Sequence, residues 1–319
     1  MNQHERTGKA VALADFASGA SGIRVICLGL SALDHVWRLD RPFSGGSEKI
    51  KSFDYSAVGG GMAANAAVTA ARLGAATSFW GRGGDDAAGH EMRTALSREN
   101  IDVRNFRLFS GGRSSVSGIM VDKTGERQIV NFRGSFPVEA DWLPLDEVAG
   151  TSAVLADPRW AEGAAALFEK ARALGVPTIL DADVADADVF ERLLPLTDHA
   201  VFSEPALAGF VGSAGDEALA GLARFRCRVA AVTRGRAGVS WYEGGQLNRR
   251  RAYSIDAVDT TGAGDVFHGA YAFAVGGGLG VADAVSFASA AAALKCTRAS
   301  GRDGIPNLDD CLAFMRIHP

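Results

Sequence analysis

Asp259-Thr260-Thr261-Gly262-Ala263-Gly264-Asp265-Val266-Phe267 decides how this chain is read. From Val266 onward, Val266, Phe267, Ala270, Tyr271, Ala274 and Val275 recur at helical spacing until Gly276-Gly277-Gly278 ends the run. A loop therefore enters the start of an apolar helix. The N–H groups of Gly262, Ala263 and Gly264 lie at that helix N-terminus, where they lack intrahelical partners and attract anions. The two glycines let a phosphate come close to the backbone. A carboxylate at Asp265 repels such a ligand, unless its task is to take the proton from a nucleophile that attacks the phosphate. By itself the segment reads equally as a helix N-cap in a Gly-rich turn.

The rest of the chain sets the context. Its 319 residues are 47% hydrophobic and 22% charged, enough for a well-buried core in one large α/β domain or two smaller ones. A net charge of −4 argues against a nucleic-acid surface. The local cluster Arg249-Arg250-Arg251 reads as a solvated turn between strands. Cys27, Cys227, Cys296 and Cys311 are widely spaced without a Cys-x-x-Cys pair, which points to reduced thiols and a cytoplasmic protein. No apolar run is long enough to span a bilayer, so no membrane partner is expected. Residues 1–22 read as a flexible extension, and its apolar stretch, residues 10–14, stops at Asp15, too short for a signal peptide.

Residues 23–30 form an apolar run ending in glycine, the pattern of a strand buried on both faces. Residues 115–121 and 127–132 alternate around the turn Lys123-Thr124-Gly125-Glu126, which predicts a hairpin. With residues 35–39 and 50–58 they make a small, half-exposed sheet separate from the core. After Ala140 strands and helices alternate: strands at 153–155, 178–180, 200–202 and 229–232, helices at 161–174, 189–194 and 206–211. That alternation signals a parallel sheet with helices on both faces. Helices at 61–73, 94–98 and 283–295 complete the layers. The expected architecture is one α/β/α domain, residues 23–319, with a mostly parallel sheet and a β-sheet lid from about 35–58 and 115–134.

Val58-Gly59-Gly60-Gly61-Met62-Ala63-Ala64-Asn65 places three glycines before an alanine-rich helix with polar Asn65 in its first turns. Either a ligand or the sheet approaches the backbone closely there. The segment lacks the Gly-Lys-Ser/Thr ending of a P-loop, and no Gly-x-Gly-x-x-Gly follows the first strand, which disfavours a dinucleotide oxidoreductase.

Taken in order, these segments resemble the ribokinase (PfkB) family of carbohydrate kinases. Residues 259–265 look like its catalytic signature, and Gly60-Gly61 with Asn65 its N-terminal one; Gly84-Asp85-Asp86-Ala87-Ala88-Gly89 and Thr233-Arg234-Gly235-Arg236-Ala237-Gly238 also match. The resemblance runs from about Arg24 to Pro306. It implies an ATP-dependent sugar kinase of ribokinase-like fold, with Asp265 as general base and Gly262, Ala263 and Gly264 as an anion hole. It further implies that Thr233, Gly235, Gly238 and Gly264 line the nucleotide site and that Gly60, Gly61, Asn65 and Asp34 hold the sugar. Mg2+ accompanies ATP, Asp259 orders a loop that binds a monovalent cation such as K+, and members commonly form homodimers through the lid. The chain departs from the family's frequent Asn-x-x-Glu, with Ser203 and Ala206 at those places, so Glu204 is the candidate to reach Mg2+ through water. Ala32 stands where an Asn often precedes the sugar-binding Asp by two positions.

Within the family, residues 121–127, 155–160, 203–205 and 293–298 resemble the members that phosphorylate 6-deoxy-6-sulfofructose at its 1-hydroxyl in sulfoglycolysis. That resemblance implies a sulfonate held by Lys49, Asn131 and Arg159. A sulfonate is a permanent monoanion with three acceptor oxygens, and a fork, a point charge and an amide suit it. Arg159 could instead pair with Asp157 or Asp181. Arg133, a further cation nearby, opens the alternatives of a 6-phosphorylated ketose, fructose or 2-keto-3-deoxygluconate. A non-catalytic sugar or nucleotide sensor is the rival class; its mark would be loss of the base or of the anion-hole glycines, and both are present.

Overall fold

The computed structural model describes residues 16, 19–42, 49–299 and 301–318. Most of the expected N-terminal extension lies outside the described residues, as does the turn Gly45-Gly46-Ser47-Glu48. The described part of the extension departs from that expectation: Ala20–Gly22 form a 3-10 turn, and Ala20 is buried in the core. Phe16 is buried, with its ring 5.2 Å from that of Phe273 and 5.6 Å from that of Phe287, so core packing starts upstream of Ile23.

Thirteen strands form two sheets among the described residues. They are β1 (Arg24–Gly29), β2 (Ala32–Leu39), β3 (Ser52–Gly60), β4 (Ala76–Gly84), β5 (Phe106–Phe109), β6 (Val116–Val121) and β7 (Arg127–Phe132). Then follow β8 (Ala153–Ala156), β9 (Thr178–Ala182), β10 (His199–Ser203), β11 (Val229–Thr233), β12 (Val239–Glu243) and β13 (Gln246–Arg250). The large sheet runs β13-β12-β11-β10-β9-β8-β1-β4-β5 and is parallel except for β12 and β13. The lid runs β3-β2-β6-β7.

The helices are α1 (Met62–Arg72), α2 (Ala87–Arg98), α3 (Ala161–Ala173), α4 (Ala187–Leu193), α5 (Glu204–Val211), α6 (Asp216–Gly221), α7 (Ala263–Gly276), α8 (Val281–Cys296) and α9 (Leu308–Ile317). Alternation along β1 sorts them into layers. Val25 and Cys27 face a core shared with α1, α2, α7, α8 and α9, while Ile26 and Leu28 face one shared with α3 to α6. Helix α7 is buried from Val266 to Ala274 on every side, which is why its sequence shows so little polar face.

Three differences from the sequence reading have local causes. Strand β4 escaped notice because Gly81, Arg82, Gly83 and Gly84 break its apolar run; Arg82 is nonetheless buried, its guanidinium 4.4 Å from the Trp160 ring and 5.0 Å from that of Phe136. Helix α2 starts seven residues before the predicted one, because its start is set by a cap and not by apolar spacing: the Asp86 carboxylate accepts from Gly89 N at 2.8 Å. The same carboxylate accepts from Ser114 N at 2.8 Å, tying α2 to the entry of the lid hairpin. The Arg249-Arg250-Arg251 cluster is not a solvated turn. Arg249 and Arg250 belong to β13, Arg249 pairs with Asp216, and Arg250 lies over the Tyr253 ring at 4.7 Å.

Candidate active site

The polar groups gather where the strand ends of the large sheet meet the first turns of α1 and α7, the place where open α/β sheets bind ligands. Close helix packing sets their spacing. A Cβ on Gly269 of α7 would sit 2.4 Å from the Ala66 carbonyl oxygen of α1, so only glycine allows this approach. One turn before Gly269 on α7, and beside Ala66 on α1, the Asn65 amide donates to Asp265 Oδ2 at 2.6 Å.

The three glycines before α1 have separate reasons. Gly61 has φ +96°, and a Cβ there would meet the Leu30 carbonyl at 2.4 Å. A Cβ on Gly60 would meet Asp34 Oδ2, and one on Gly59 the Arg302 guanidinium. Strand register then carries Asp34 into the lid: Asp34 pairs with Ser117, and Ser117 with Asn131. The Asn131 amide donates to Ser117 Oγ at 3.1 Å. Burial raises the Asp34 carboxyl, opposed by its hydrogen bond with Ser117 and by the Arg302 charge.

Asp265 has the chemistry of a base poised near neutrality. Burial and the neighbouring Asp181 push its pKa up to about 7, against the Asn65 hydrogen bond and the His268 ring. Asp181 is itself raised, by burial and by Asp157 and Asp183, and its Oδ2 has no partner among the described residues. His268 ties the turn down: Nδ1 lies 2.7 Å from the Gly264 carbonyl and 3.3 Å from Asp181 Oδ1, and Nε2 lies 3.1 Å from the Val201 carbonyl.

The expected anion hole needs one correction. Gly262, at φ +71°, precedes α7, and Ala263 N donates to the Thr260 carbonyl at 3.2 Å. Ala263 is therefore engaged in its own turn. The N–H groups of Gly262, Gly264 and Asp265 have no partner among the described residues. Asp265 thus offers a donor as well as a carboxylate, which the sequence reading missed.

The Asp259 carboxylate accepts from Thr261 N and Oγ1, from Arg127 of the lid at 2.8 Å and from buried Lys295 at 3.0 Å. Burial works against its charge, yet the Thr261 hydrogen bonds and Lys295 hold it well below the usual carboxylate range. Thr233 ends β11, where its hydroxyl donates to the Phe202 carbonyl at 3.3 Å. Gly235 and Gly238 follow with φ +51° and +94°, and Gly238 lies against the Arg250 carbonyl. Ser203 accepts from Ala206 N and donates to Asp183, so it caps α5. Glu204 is half exposed, with Arg234 Nε 3.7 Å away.

Residues 23–308 match the family described as pfkB family carbohydrate kinase. The chain belongs to the pfkB family of carbohydrate kinases. This sugar kinase is 37% identical to a fructokinase of Klebsiella pneumoniae over 229 residues, 65% of this chain and 74% of the relative. It superimposes on a provisionally assigned ribokinase of Agrobacterium tumefaciens with a TM-score of 0.89 at 36% identity, covering 93% of this chain and 98% of that one. An Arabidopsis thaliana ribokinase complexed with ribose and ATP shares the fold, with a TM-score of 0.82 at 24% identity over 92% of this chain and 98% of that one. The fold is thus ribokinase-like: a mostly parallel large sheet with a smaller sheet beside it.

The kinase carries a cavity of about 230 Å³ lined by Gly29, Arg82, Arg133, Phe136, Arg159 and Asp186, among others. Arg159 donates to the Val184 carbonyl at 2.7 Å and pairs with Asp183 at 3.4 Å, not with the side chain of Asp157 or Asp181. The Asp157 carboxylate instead accepts from the backbone N–H groups of Leu30, Ala63 and Arg159. Arg82 is pinned by the Pro137 carbonyl at 2.7 Å. Arg133 has no hydrogen-bond or ion-pair partner among the described residues. Of the three expected sulfonate donors, only Arg159 lines this cavity. Lys49 is exposed ahead of β3, and Asn131 is turned to Ser117. Arg82 was hidden in an unrecognised strand, and Arg302 in a short turn far from every motif.

Proposed function

We propose that this kinase transfers the γ-phosphoryl group of ATP to the 1-hydroxyl of 6-deoxy-6-sulfofructose. The observation that carries the substrate is the arginine-lined cavity. Three guanidinium groups against a single lining carboxylate, Asp186, with Arg159 also paired to Asp183, suit an anionic substrate group such as a sulfonate.

In this reading Asp34 accepts hydrogen bonds from sugar hydroxyls, Gly60 and Gly61 give the sugar room, and Asn65 steadies the base. Asp265 takes the proton of the attacking hydroxyl. The free N–H groups of the 262–265 turn stabilise charge on the phosphoryl oxygens. The backbone of Gly235 and Gly238, with Thr233, cradles the nucleotide. Among the described residues no group of three or more His, Cys, Asp or Glu is placed to hold a metal, which fits a Mg2+ held chiefly by nucleotide phosphates and water. Glu204 would reach it through water, and the ion supplies charge neutralisation on the phosphates. A monovalent cation such as K+ would bind the backbone of the Asp259 loop, since the Asp259 carboxylate already has partners. Four free cysteines support the cytoplasmic assignment.

A 6-phosphorylated ketose is the second reading, favoured by the unpartnered Arg133. Initial rates of ADP release with sulfofructose, fructose and fructose 6-phosphate separate the two. The expected result is a kcat/KM for sulfofructose at least about tenfold above either competitor, and an Arg159→Ala variant that loses this preference mainly through KM, as loss of a charged hydrogen bond would dictate. Equal or better rates with fructose overturn the substrate.

One face of the lid presents Phe53 at 66% exposure and Val130 at 70%, with Tyr55 also exposed on it. We assign this face to a second copy of the chain. Sedimentation velocity should show a dimer that Phe53→Glu dissociates; a wild-type monomer at tens of micromolar contradicts the assignment.

A further inference from the structure

We propose that Arg302 is a positioning residue for the catalytic base, acting through Asn65. Its Nε donates to Asn65 Oδ1 at 2.8 Å, and Asn65 Nδ2 donates to Asp265 Oδ2 at 2.6 Å. The inference rests on reading Asp265 as the base.

The argument is one of donor and acceptor inventory. A side-chain amide has one accepting end and one donating end of nearly equal shape, so packing alone does not choose between its two orientations. A guanidinium has no acceptor. With Arg302 facing the amide, only Oδ1 can be turned toward it, and the NH2 group must face Asp265. Reversal would set the amide oxygen against a carboxylate, a contact that only a protonated Asp265 satisfies. Arg302 therefore determines whether Asn65 favours the charged or the neutral base.

Arg302 is itself held firmly for a residue in the short 3-10 turn Gly301–Gly304. Its Nη2 donates to the Gly60 carbonyl at 3.0 Å. Its own carbonyl accepts from Arg72 Nη1, and Arg72 forks onto Glu99 with bonds of 2.8 and 2.6 Å. Gly59 completes the seat, because a Cβ there would fall on Arg302 Nη1. The third glycine before α1 thus has a use that neither sugar nor phosphate requires of it.

Every charged group around the base enters the test. From β9 and the residues after it, Asp181 and Asp183 push the Asp265 carboxyl up; from α7 His268, and from α1 Asn65, pull it down. The charges facing Arg302 are Asp34, Glu99, Asp265 and Arg72. Removing Arg302 takes away a cation and frees the amide, and both changes act in the same direction on Asp265: its carboxyl rises.

The test is the pH dependence of kcat/KM, with saturating ATP and the fastest of the three sugars named above. Arg302→Met should move the acidic limb upward by about one pH unit, with a loss of about fivefold at pH 7 that is largely regained at pH 8.5. In a double-mutant cycle, Asn65→Ala combined with Arg302→Met should lose far less than the product of the two single losses, because the path through Asn65 is already gone and only the direct charge effect of Arg302 remains. Arg302→Lys keeps the charge but has no planar fork to span Asn65 and Gly60, so it should shift the limb in the same direction and serves if the methionine variant fails to fold. An unmoved limb in folded variants, or losses that multiply in the cycle, overturns the proposal. Asp265→Asn is measured beside them: substantial turnover there sinks the base itself, whatever Arg302 does.

Discussion

Asp265→Asn is expected to lower kcat by about 10³-fold, within the range general-base catalysis supplies. The change keeps the shape of the side chain and most of its hydrogen bonding, so ATP affinity should stay within a few fold of wild type. The stability effect has the opposite sign from the usual active-site lesion. Asp265 has a native pKa of about 7, above the ordinary carboxylate value. Between those two values the native state binds more protons than the unfolded chain, so stability falls as pH rises through that window. An amide removes this cost. The variant should therefore melt at or above the wild-type Tm at pH 8, with the advantage shrinking toward pH 4. Turnover within tenfold of wild type would dismiss Asp265 as the base. A variant that is both dead and markedly less stable at pH 8 would point to lost structure instead.

Gly269→Ala is the second large effect, and it separates packing from chemistry. The added Cβ would stand 2.4 Å from the Ala66 carbonyl oxygen and 2.8 Å from Ala66 Cα, backbone that cannot swing aside. Overpacking of this kind costs about 1–3 kcal/mol, or a few degrees in Tm for a chain of this size. Helix α1 must move off α7, and Asn65 with it, although Gly269 is a full turn from the base. A displacement of about 1 Å at a reacting group is enough for roughly 10²-fold in rate. Lower Tm together with lower kcat is the expected pair, measured by thermal unfolding and by ADP release. A lower Tm with unchanged kcat would mean that this helix contact does not set the site geometry.

What the sequence revealed of this site follows from how far each interaction reaches along the chain. The loop 259–265 was legible because a glycine-rich turn, its free N–H groups and its carboxylate are neighbours in sequence. The Gly59-Gly60-Gly61 run was visible as a close approach, but its partners were not: Leu30, Asp34 and Arg302 come from three separate elements. Asp181 entered the sequence reading only as a possible partner of Arg159, and His268 not at all, since nothing local shows that a strand end and a helix turn will meet. Arg82 lay within a glycine-broken strand, and only the neighbouring Trp160 and Phe136 rings explain a buried cation there. The parallel core was readable from its alternating strands and helices. Helix α9 and the strands β12 and β13 were not, because β12 and β13 reverse the alternation and α9 follows its end.

The most direct measurement of the central claim is the pH profile of kcat/KM for the wild-type enzyme, from pH 5.5 to 8.5 with saturating ATP. The account predicts activity that climbs tenfold per pH unit on the acidic side and levels off near pH 7, as the Asp265 carboxylate becomes available to the sugar hydroxyl. A profile flat across that range, from an enzyme that stays folded, would contradict it.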